Sequence, residues 1–130
     1  MMLFDVDNFK TINDTYGHET GDKILIKLVN TLKSVFRDDD CICRIGGDEF
    51  VVFMVHSGSM PQRLIESKLE QISIDLANTD DGLPGVSISA GIVNGKDVTD
   101  TSKIFEMSDE AMYQSKKSGK NTYTFYSDQK

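Results

Sequence analysis

Two adjacent glycines followed at once by two adjacent acids, Gly46-Gly47-Asp48-Glu49, are the residues of this chain whose types and spacing most clearly suggest chemistry. Apolar segments at 41–45 and 50–55 flank this string, so it is predicted to join two strands in a β-hairpin. Tight primed hairpin turns need positive φ at their central residues, which glycines supply. Glycines also let a backbone approach a ligand, and carboxylates beside them could hold a divalent metal on a phosphate. Successive strand residues face opposite sides of a sheet, so only one acid is expected to face a given metal.

A second acidic pattern, Asp5-Val6-Asp7, ends a predicted apolar strand near the start of the chain. Residues two apart on a strand project to the same face, and acids there are costly to bury unless they are paired or bound to a cation. Magnesium prefers hard oxygen ligands and keeps one or two protein carboxylates together with substrate phosphates. Asp5 meeting an acid of the hairpin would make such a site. The alternative is that these acids cap turns or pair with Lys10 or Arg44.

The composition is that of one globular domain. The chain has 130 residues, of which 38% are hydrophobic and 27% charged. Its net charge of −7 argues against non-specific binding of nucleic acids or membranes. No apolar run approaches the length of a membrane span, and residues 1–4 reach an acid too soon to be a signal peptide. Cys41 and Cys43 are poorly spaced for a disulfide and are predicted to be buried thiols of a cytoplasmic protein.

Apolar periodicity predicts an α+β fold with a mostly antiparallel central sheet and helices packed on it, because hairpins and crossovers alternate along the chain. The strongest periodicity lies between residues 24 and 36, in a long helix that Thr20 is expected to cap. Gly17 and Gly119 are expected to end the helices before them. The predicted strands are Met2–Asp7, Cys41–Ile45, Phe50–Val55, Val86–Val93 and Tyr123–Tyr126, the other helices are Phe9–Tyr16, one starting at Pro61 and Thr101–Ser118, and His56–Met60 and Asn78–Gly85 are predicted loops.

These motifs resemble the GGDEF domain of diguanylate cyclases, which condense two GTP molecules into cyclic di-GMP. The resemblance implies a fold similar to the palm domain of polymerases and nucleotidyl cyclases, with a ferredoxin-like core. Several ordered motifs carry it along nearly the whole chain, which makes chance similarity very improbable. They are Asp5–Lys10, Ile12–His18, Gly21-Asp22, Arg44–Phe50, Ser89–Ile92, Ser108–Tyr113, Lys116 and Gly119–Asn121.

The resemblance implies a metal site for Mg²⁺, or alternatively Mn²⁺. Its ligands would be Asp5, the backbone carbonyl of Val6, and Asp48. Asp48 is also the best candidate to accept the proton of an attacking hydroxyl, directly or through the metal, while Gly46-Gly47 forms the catalytic turn. Two interpretations of Glu49 stand: it helps with the ribose hydroxyl or a second metal, or it is structural.

The resemblance also assigns a guanine site to Asn13 and Asp22. An amide and a carboxylate together can satisfy the acceptor and the donors of the guanine edge. The alternatives are that Asn13 caps a helix end and that Asp22 is a first-turn charge on the long helix. His18 either lies near the base or packs at the helix turn.

Three lysines, Lys10, Lys116 and Lys120, match positions that hold the terminal phosphates of GTP in the family. Lysines are ordinarily solvated surface residues, so their spacing alone carries little weight. The family more often has Arg at the position of Lys120. Lysine keeps the positive charge but cannot bind phosphate through two parallel hydrogen bonds as arginine does, so weaker phosphate binding is expected at this position.

Arg37 and Asp40 match an inhibitory site of the family, which binds the product as a stacked dimer of cyclic di-GMP. Five residues separate Asp40 from Gly46, which is the family's spacing. The arginine fork suits guanine or phosphate and its plane stacks on bases. The alternative is a charged turn formed by residues 37–40.

The implied reaction needs two domains facing each other across a two-fold axis, so GTP, cyclic di-GMP and a second copy of the chain are the expected partners. Residues 1–130 are expected to form a single GGDEF domain that lacks the family's N-terminal helix, its Leu-Thr-Gly-Leu segment and any sensor domain. Such a domain is expected in the cytoplasm, alone or as part of a membrane-bound sensor. Two rivals remain: a silent module that binds GTP or cyclic di-GMP, and a palm-like cyclase that uses another base.

Overall fold

A computed structural model describes residues 1–54, 61–95 and 100–126 of the chain. Within these ranges the elements follow the order β-α-α-β-β-α-β-α-β, which confirms the predicted order. The strands are β1 (Met2–Val6), β2 (Cys41–Gly46), β3 (Glu49–Phe53), β4 (Ile88–Ile92) and β5 (Tyr123–Phe125), and the helices are α1 (Phe9–Tyr16), α2 (His18–Val35), α3 (Gln62–Ala77) and α4 (Ile104–Lys117), with a 3-10 turn at Thr101–Lys103.

The first strand of the chain is the central strand of a five-stranded sheet with the order β2-β3-β1-β4-β5. β1 runs antiparallel to both of its neighbours, β3 and β4, and β2 runs antiparallel to β3. β4 and β5 are parallel. The sheet is therefore mixed and mostly antiparallel, and the predicted α+β fold class is confirmed.

Helices cover both faces of the sheet, which explains why every residue of β1 is buried. On one face Phe4 packs in a core with Leu28 of α2 and Ile72 of α3. On the other face Leu3 packs against Met112 of α4. Because side chains alternate along a strand, Asp5 shares the α4 face with Leu3. The strand thus sends its carboxylate to the same side as α4.

α2 owes its stability to the apolar stripe predicted from the sequence, of which Ile24, Leu28 and Leu32 are fully buried. Its start differs from the prediction. The helix begins at His18, and Gly17, with φ of 94°, stands before it without a side-chain cap. Thr20 lies inside the helix and does not cap it, because a glycine in the left-handed region lets the chain turn directly from α1 into α2.

The prediction that Cys41 and Cys43 are buried was wrong. Both thiols are free and exposed, and their sulfur atoms lie 3.5 Å apart on one face of β2. β2 is an edge strand, and the contacts of α4 with the sheet fall on β1, β4 and β5. The α4 face of β2 is therefore left open, whereas Ile42 on its other face packs against the core.

Several boundaries also differ from prediction. β4 is shorter than Val86–Val93, β5 ends at Phe125, and the last helix opens with one 3-10 turn before its α-helical part. Val55 and the predicted loop His56–Met60 lie outside the described residues. None of the helices in the described ranges is long and apolar enough to cross a membrane.

Candidate active site

The hairpin between β2 and β3 turns at Gly47 and Asp48, because Gly46 already pairs with Glu49. The register shifts between Arg44 and Gly46, which is a β-bulge. Neither glycine has the positive φ predicted for a primed turn. That prediction was wrong, since the bulge supplies the local bend instead. The Arg44 guanidinium braces the turn by donating two hydrogen bonds to the Gly47 carbonyl, at 3.0 and 2.7 Å.

The end of β1 meets this turn. Asp5 is the register partner of Glu49, and the Val6 N–H donates a hydrogen bond of 3.3 Å to the Asp48 carbonyl. Burial raises the pKa of Asp5 to about 6, helped by the nearby Asp48 carboxyl and opposed by Lys116. Burial, followed by the Asp5 charge, also raises the pKa of Glu49. The structure therefore brings three of the four acids of the two sequence motifs, Asp5, Asp48 and Glu49, into one electrostatic cluster.

Lys116 of α4 completes this cluster by forming an ion pair with Asp5 Oδ2. Burial would lower the pKa of Lys116, but the Asp5 carboxylate outweighs it, and the pKa is raised. The other oxygen of Asp5, Oδ1, is buried and has no hydrogen-bond partner among the described residues. A buried carboxylate oxygen without a partner is costly unless something else binds it.

This donor set fits a hard divalent cation that is also held by a substrate. Across the described ranges, no three His, Cys, Asp or Glu side chains cluster into a complete metal site. Magnesium usually needs only one or two protein carboxylates, with waters and phosphates supplying the other ligands. The unpartnered oxygen of Asp5, next to Asp48 and the backbone of Val6, matches that requirement.

Asp7 has a different task from Asp5, although the two project to one face. Its carboxylate accepts hydrogen bonds from Ser87 Oγ at 2.6 Å, Ser89 Oγ at 2.5 Å and the Asn121 N–H at 2.8 Å. Both oxygens of Asp7 therefore accept hydrogen bonds within the protein, and the carboxylate ties β1 to β4 and to the loop after α4. Sequence reasoning missed the two serines; their i, i+2 spacing on a predicted strand was the available signal.

The loop after α4 brings a second lysine to the end of β1. Lys120 and Asn121 have φ values of 65° and 48°, and the Lys120 ammonium donates to Asn8 Oδ1 at 2.7 Å. Lys10 lies exposed in the first turn of α1, two residues beyond Asn8. The three predicted phosphate-binding lysines thus come from α1, α4 and the loop after it, and Lys116 and Lys120 reach the end of β1.

The predicted guanine residues lie on the two helices of the α1–α2 junction, Asn13 on α1 and Asp22 on α2. The Gly17 N–H closes α1 by a 2.8 Å hydrogen bond to the Asn13 backbone oxygen. Asn13 is half-buried against α2, and Asp22 is exposed one turn into α2. A groove of about 500 Å³ lies beside Asp22, between α2 and the hairpin residues Arg44 and Phe50. His18 is exposed at the first position of α2.

The predicted inhibitory residues lie in a turn that bonds to itself. The Arg37 guanidinium pairs with Asp39 at 2.6 Å, and this pairing lowers the pKa of Asp39. Asp40 is buried, and its carboxylate accepts a 3.0 Å hydrogen bond from the Arg37 backbone N–H. These contacts are those of the charged-turn alternative, and they put the turn at the opposite end of β2 from Gly47. Product binding here stays a prediction.

Comparison with known proteins agrees with this geometry. The family described as "Diguanylate cyclase, GGDEF domain" matches residues 1–122. Diguanylate cyclase DosC of Escherichia coli K12 is 35% identical over 125 residues, which cover 93% of this chain. The chain spans 27% of the length of DosC and 40% of diguanylate cyclase DgcS of Shewanella oneidensis.

Solved structures have the same fold. The active GGEEF domain of a diguanylate cyclase from Vibrio cholerae superposes with a TM-score of 0.80 at 30% identity, covering 97% of this chain and 81% of that one. The GGDEF domain of DgcB from Caulobacter crescentus, solved in complex with c-di-GMP, gives a TM-score of 0.81 at 26% identity, covering 95% and 75%. With the hairpin, the acids and the sheet order in place, this chain belongs to the GGDEF domain family of diguanylate cyclases.

Proposed function

We propose that this chain is a diguanylate cyclase domain that condenses two GTP molecules into cyclic di-GMP and two pyrophosphates. The observation that carries the proposal is the meeting of Asp5, Asp48 and Lys116 at the end of β1, with one buried oxygen of Asp5 left without a partner. Family membership supports it independently.

Asp5, Asp48 and the Val6 carbonyl would hold the Mg²⁺ or Mn²⁺ ion that the family implies. When bound, such an ion would polarise the reacting phosphate and stabilise charge on its oxygens. The protein contributes a fixed geometry, because Asp5 and Val6 lie on a central strand and the Arg44 guanidinium braces the turn that carries Asp48.

The three lysines would bind the triphosphate of GTP, and the junction between α1 and α2 would bind its guanine base. Lys116 already balances the charge of Asp5, and an incoming phosphate would offer its ammonium a second anionic partner. Lys120 is held at the end of β1 by Asn8, and Lys10 extends the basic edge along α1. Asn13 and Asp22 would read the guanine edge. Glu49, close to Asp5, is available to a ribose hydroxyl.

In the reaction, the 3′-oxygen of each GTP bonds to the α-phosphorus of the other, and the bond from that phosphorus to pyrophosphate breaks. Asp48 accepts the hydroxyl proton, and pyrophosphate leaves with the bonding electrons. Each domain holds one GTP, so two copies must face each other, and positioning two substrates supplies much of the rate. Specific activity should therefore rise with protein concentration.

Gly47→Ala should leave folding intact and lower turnover. Gly47 is exposed and its φ is not positive. Apart from Gly47 and its two chain neighbours, no described residue has an atom within 4 Å of the Cβ that an alanine would add. We expect the free energy of unfolding to stay within about 0.5 kcal/mol. Turnover should fall roughly 100-fold, because the methyl group would displace a closely approaching nucleotide. Urea unfolding and pyrophosphate release measure the two effects.

Gly95→Ala is the matched control, since its Cβ would also have no described atom within 4 Å beyond its chain neighbours. Gly95 follows the C-terminal end of β4, whereas the candidate site lies at the N-terminal end of that strand. It should leave both stability and turnover unchanged. Equal activity of Gly47→Ala and the parent would contradict a close approach of substrate at this turn.

The function is tested by incubating the protein with GTP and Mg²⁺ at high protein concentration and identifying the products by mass spectrometry, with Asp48→Ala beside it. Cyclic di-GMP and pyrophosphate from the parent and not from the variant would support the proposal. A silent parent would be repeated with a dimerising domain fused to its N-terminus. If a demonstrated dimer binds GTP but forms no product, the chain is a binding module and not a cyclase. Turnover of ATP in preference to GTP would make it a different nucleotidyl cyclase.

A further inference from the structure

Gly21 of α2 and Asn13 of α1 are in unusually close contact. A Cβ built on Gly21 would lie 1.8 Å from Asn13 Oδ1 and 2.9 Å from Asn13 Cγ, with Phe9 Cζ at 3.3 Å. The Asn13 amide therefore occupies the space that any side chain at position 21 would need. Gly21 is buried, and the next residue is Asp22.

Nothing in the helix itself calls for glycine at this position. The φ of Gly21 is not positive, and Gly21 lies within α2, where alanine is a better helix former. Glycine here costs stability and leaves a notch in the surface of α2. The end of the Asn13 side chain fills this notch, and Phe9 Cζ lies at its edge.

We propose that Gly21 is a specificity-determining residue, which holds the Asn13 amide against α2 so that the amide and Asp22 together face the base of the nucleotide. This inference rests on the proposed function. It adds to the guanine site a residue that does not itself touch the substrate. The three atoms nearest to this position all belong to side chains, so a methyl group at position 21 is expected to turn the Asn13 side chain aside rather than push the two helices apart.

Gly21→Ala is therefore expected to separate folding from recognition. Its melting temperature should equal or exceed that of the parent, because alanine favours the helix. Its kcat/KM for GTP should fall about 10-fold or more, and the ratio of kcat/KM for GTP to that for ATP should fall with it. Lys23→Ala, at an exposed position of α2, is the control that should change neither value.

A double-mutant cycle with Asn13→Ala provides the decisive readout. In the Asn13→Ala background there is no amide to displace, so adding Gly21→Ala should change kcat/KM for GTP by a factor near one. An equal loss in both backgrounds would overturn the proposal, because Gly21 would then act by a route other than Asn13. Full GTP preference in Gly21→Ala would overturn it as well.

The side-chain amide resonance of Asn13, recorded without nucleotide, separates failure of this inference from failure of the proposed function. The resonance is assigned by its absence in Asn13→Ala. It should move in Gly21→Ala and stay in place in Lys23→Ala. An unmoved resonance would overturn the contact itself. If the resonance moves but the parent neither binds nor converts GTP, the contact between Gly21 and Asn13 is real and the proposed function is wrong. The role of Gly21 in specificity then fails with that function.

Discussion

Asp5→Asn should lower the formation of cyclic di-GMP by about 100-fold or more while the protein stays folded. The amide keeps the shape of the carboxylate and an oxygen that can accept from Lys116, but it loses the charge that would hold a cation. The fold already disfavours the ionised carboxylate, since burial raises the pKa of Asp5 to about 6. We therefore expect the free energy of unfolding without ligands to change by no more than about 1 kcal/mol.

Thermal unfolding with and without GTP and Mg²⁺ provides a second measurement on the same variant. In the parent, ligands at one hundred times their Kd should stabilise the fold by about 2.7 kcal/mol. Most of that stabilisation should be lost in Asp5→Asn. Asp109→Asn is the matched control, because it removes one charge from an exposed position of α4 near Glu49. Parental turnover in Asp5→Asn would show that Asp5 does not hold the cation.

Gly91→Ala should destabilise the fold by about 3 kcal/mol, because it forces α4 away from the sheet. A Cβ on Gly91 would lie 2.2 Å from the Ser108 carbonyl oxygen and 2.4 Å from the Met112 nitrogen, both backbone atoms that cannot turn aside. The close approach depends on small buried residues of α4 such as Ser108 and Ser115, the latter donating a 2.7 Å hydrogen bond to the Ala90 carbonyl.

Urea unfolding should show the midpoint of Gly91→Ala lowered by roughly 1–3 M. Turnover should fall too, since Lys116 follows Ser115 on the displaced helix. Gly95→Ala, whose Cβ would meet no described atom, should keep the parental midpoint. A parental midpoint for Gly91→Ala as well would mean that α4 does not pack on β4 as closely as described.

Much of this protein is determined by local sequence patterns. The 3.6-residue periodicity of α2, the boundaries of α1 at Phe9 and Tyr16, and the order of the elements follow from residues close together in the chain. The site motifs were visible for the same reason. Gly46–Glu49 and Asp5–Asp7 are short strings at the ends of predicted strands, and their acids suggested a shared metal site. The pairing of β1 with β3, which brings Asp5 beside Glu49, came from the structure.

Only the tertiary structure decided which surfaces are covered and which carboxylates accept hydrogen bonds from other parts of the protein. Cys41 and Cys43 have the alternation of a buried strand, but β2 became the edge strand beyond the reach of α4. In the sequence Asp7 is equivalent to Asp5. In the structure Ser87 and Ser89, about eighty residues away, donate hydrogen bonds to Asp7 and give it a different role.

The roles of the packed glycines were hidden for the same reason. The need for glycine at position 21 comes from Asn13 on α1, and the need for glycine at position 91 comes from the backbone of α4. Both neighbours belong to a different element from the glycine. Periodicity and turn chemistry record what a segment does by itself. Contacts between segments depend on which helix covers which strand, and a single sequence fixes those contacts only through the packing energy of the whole domain.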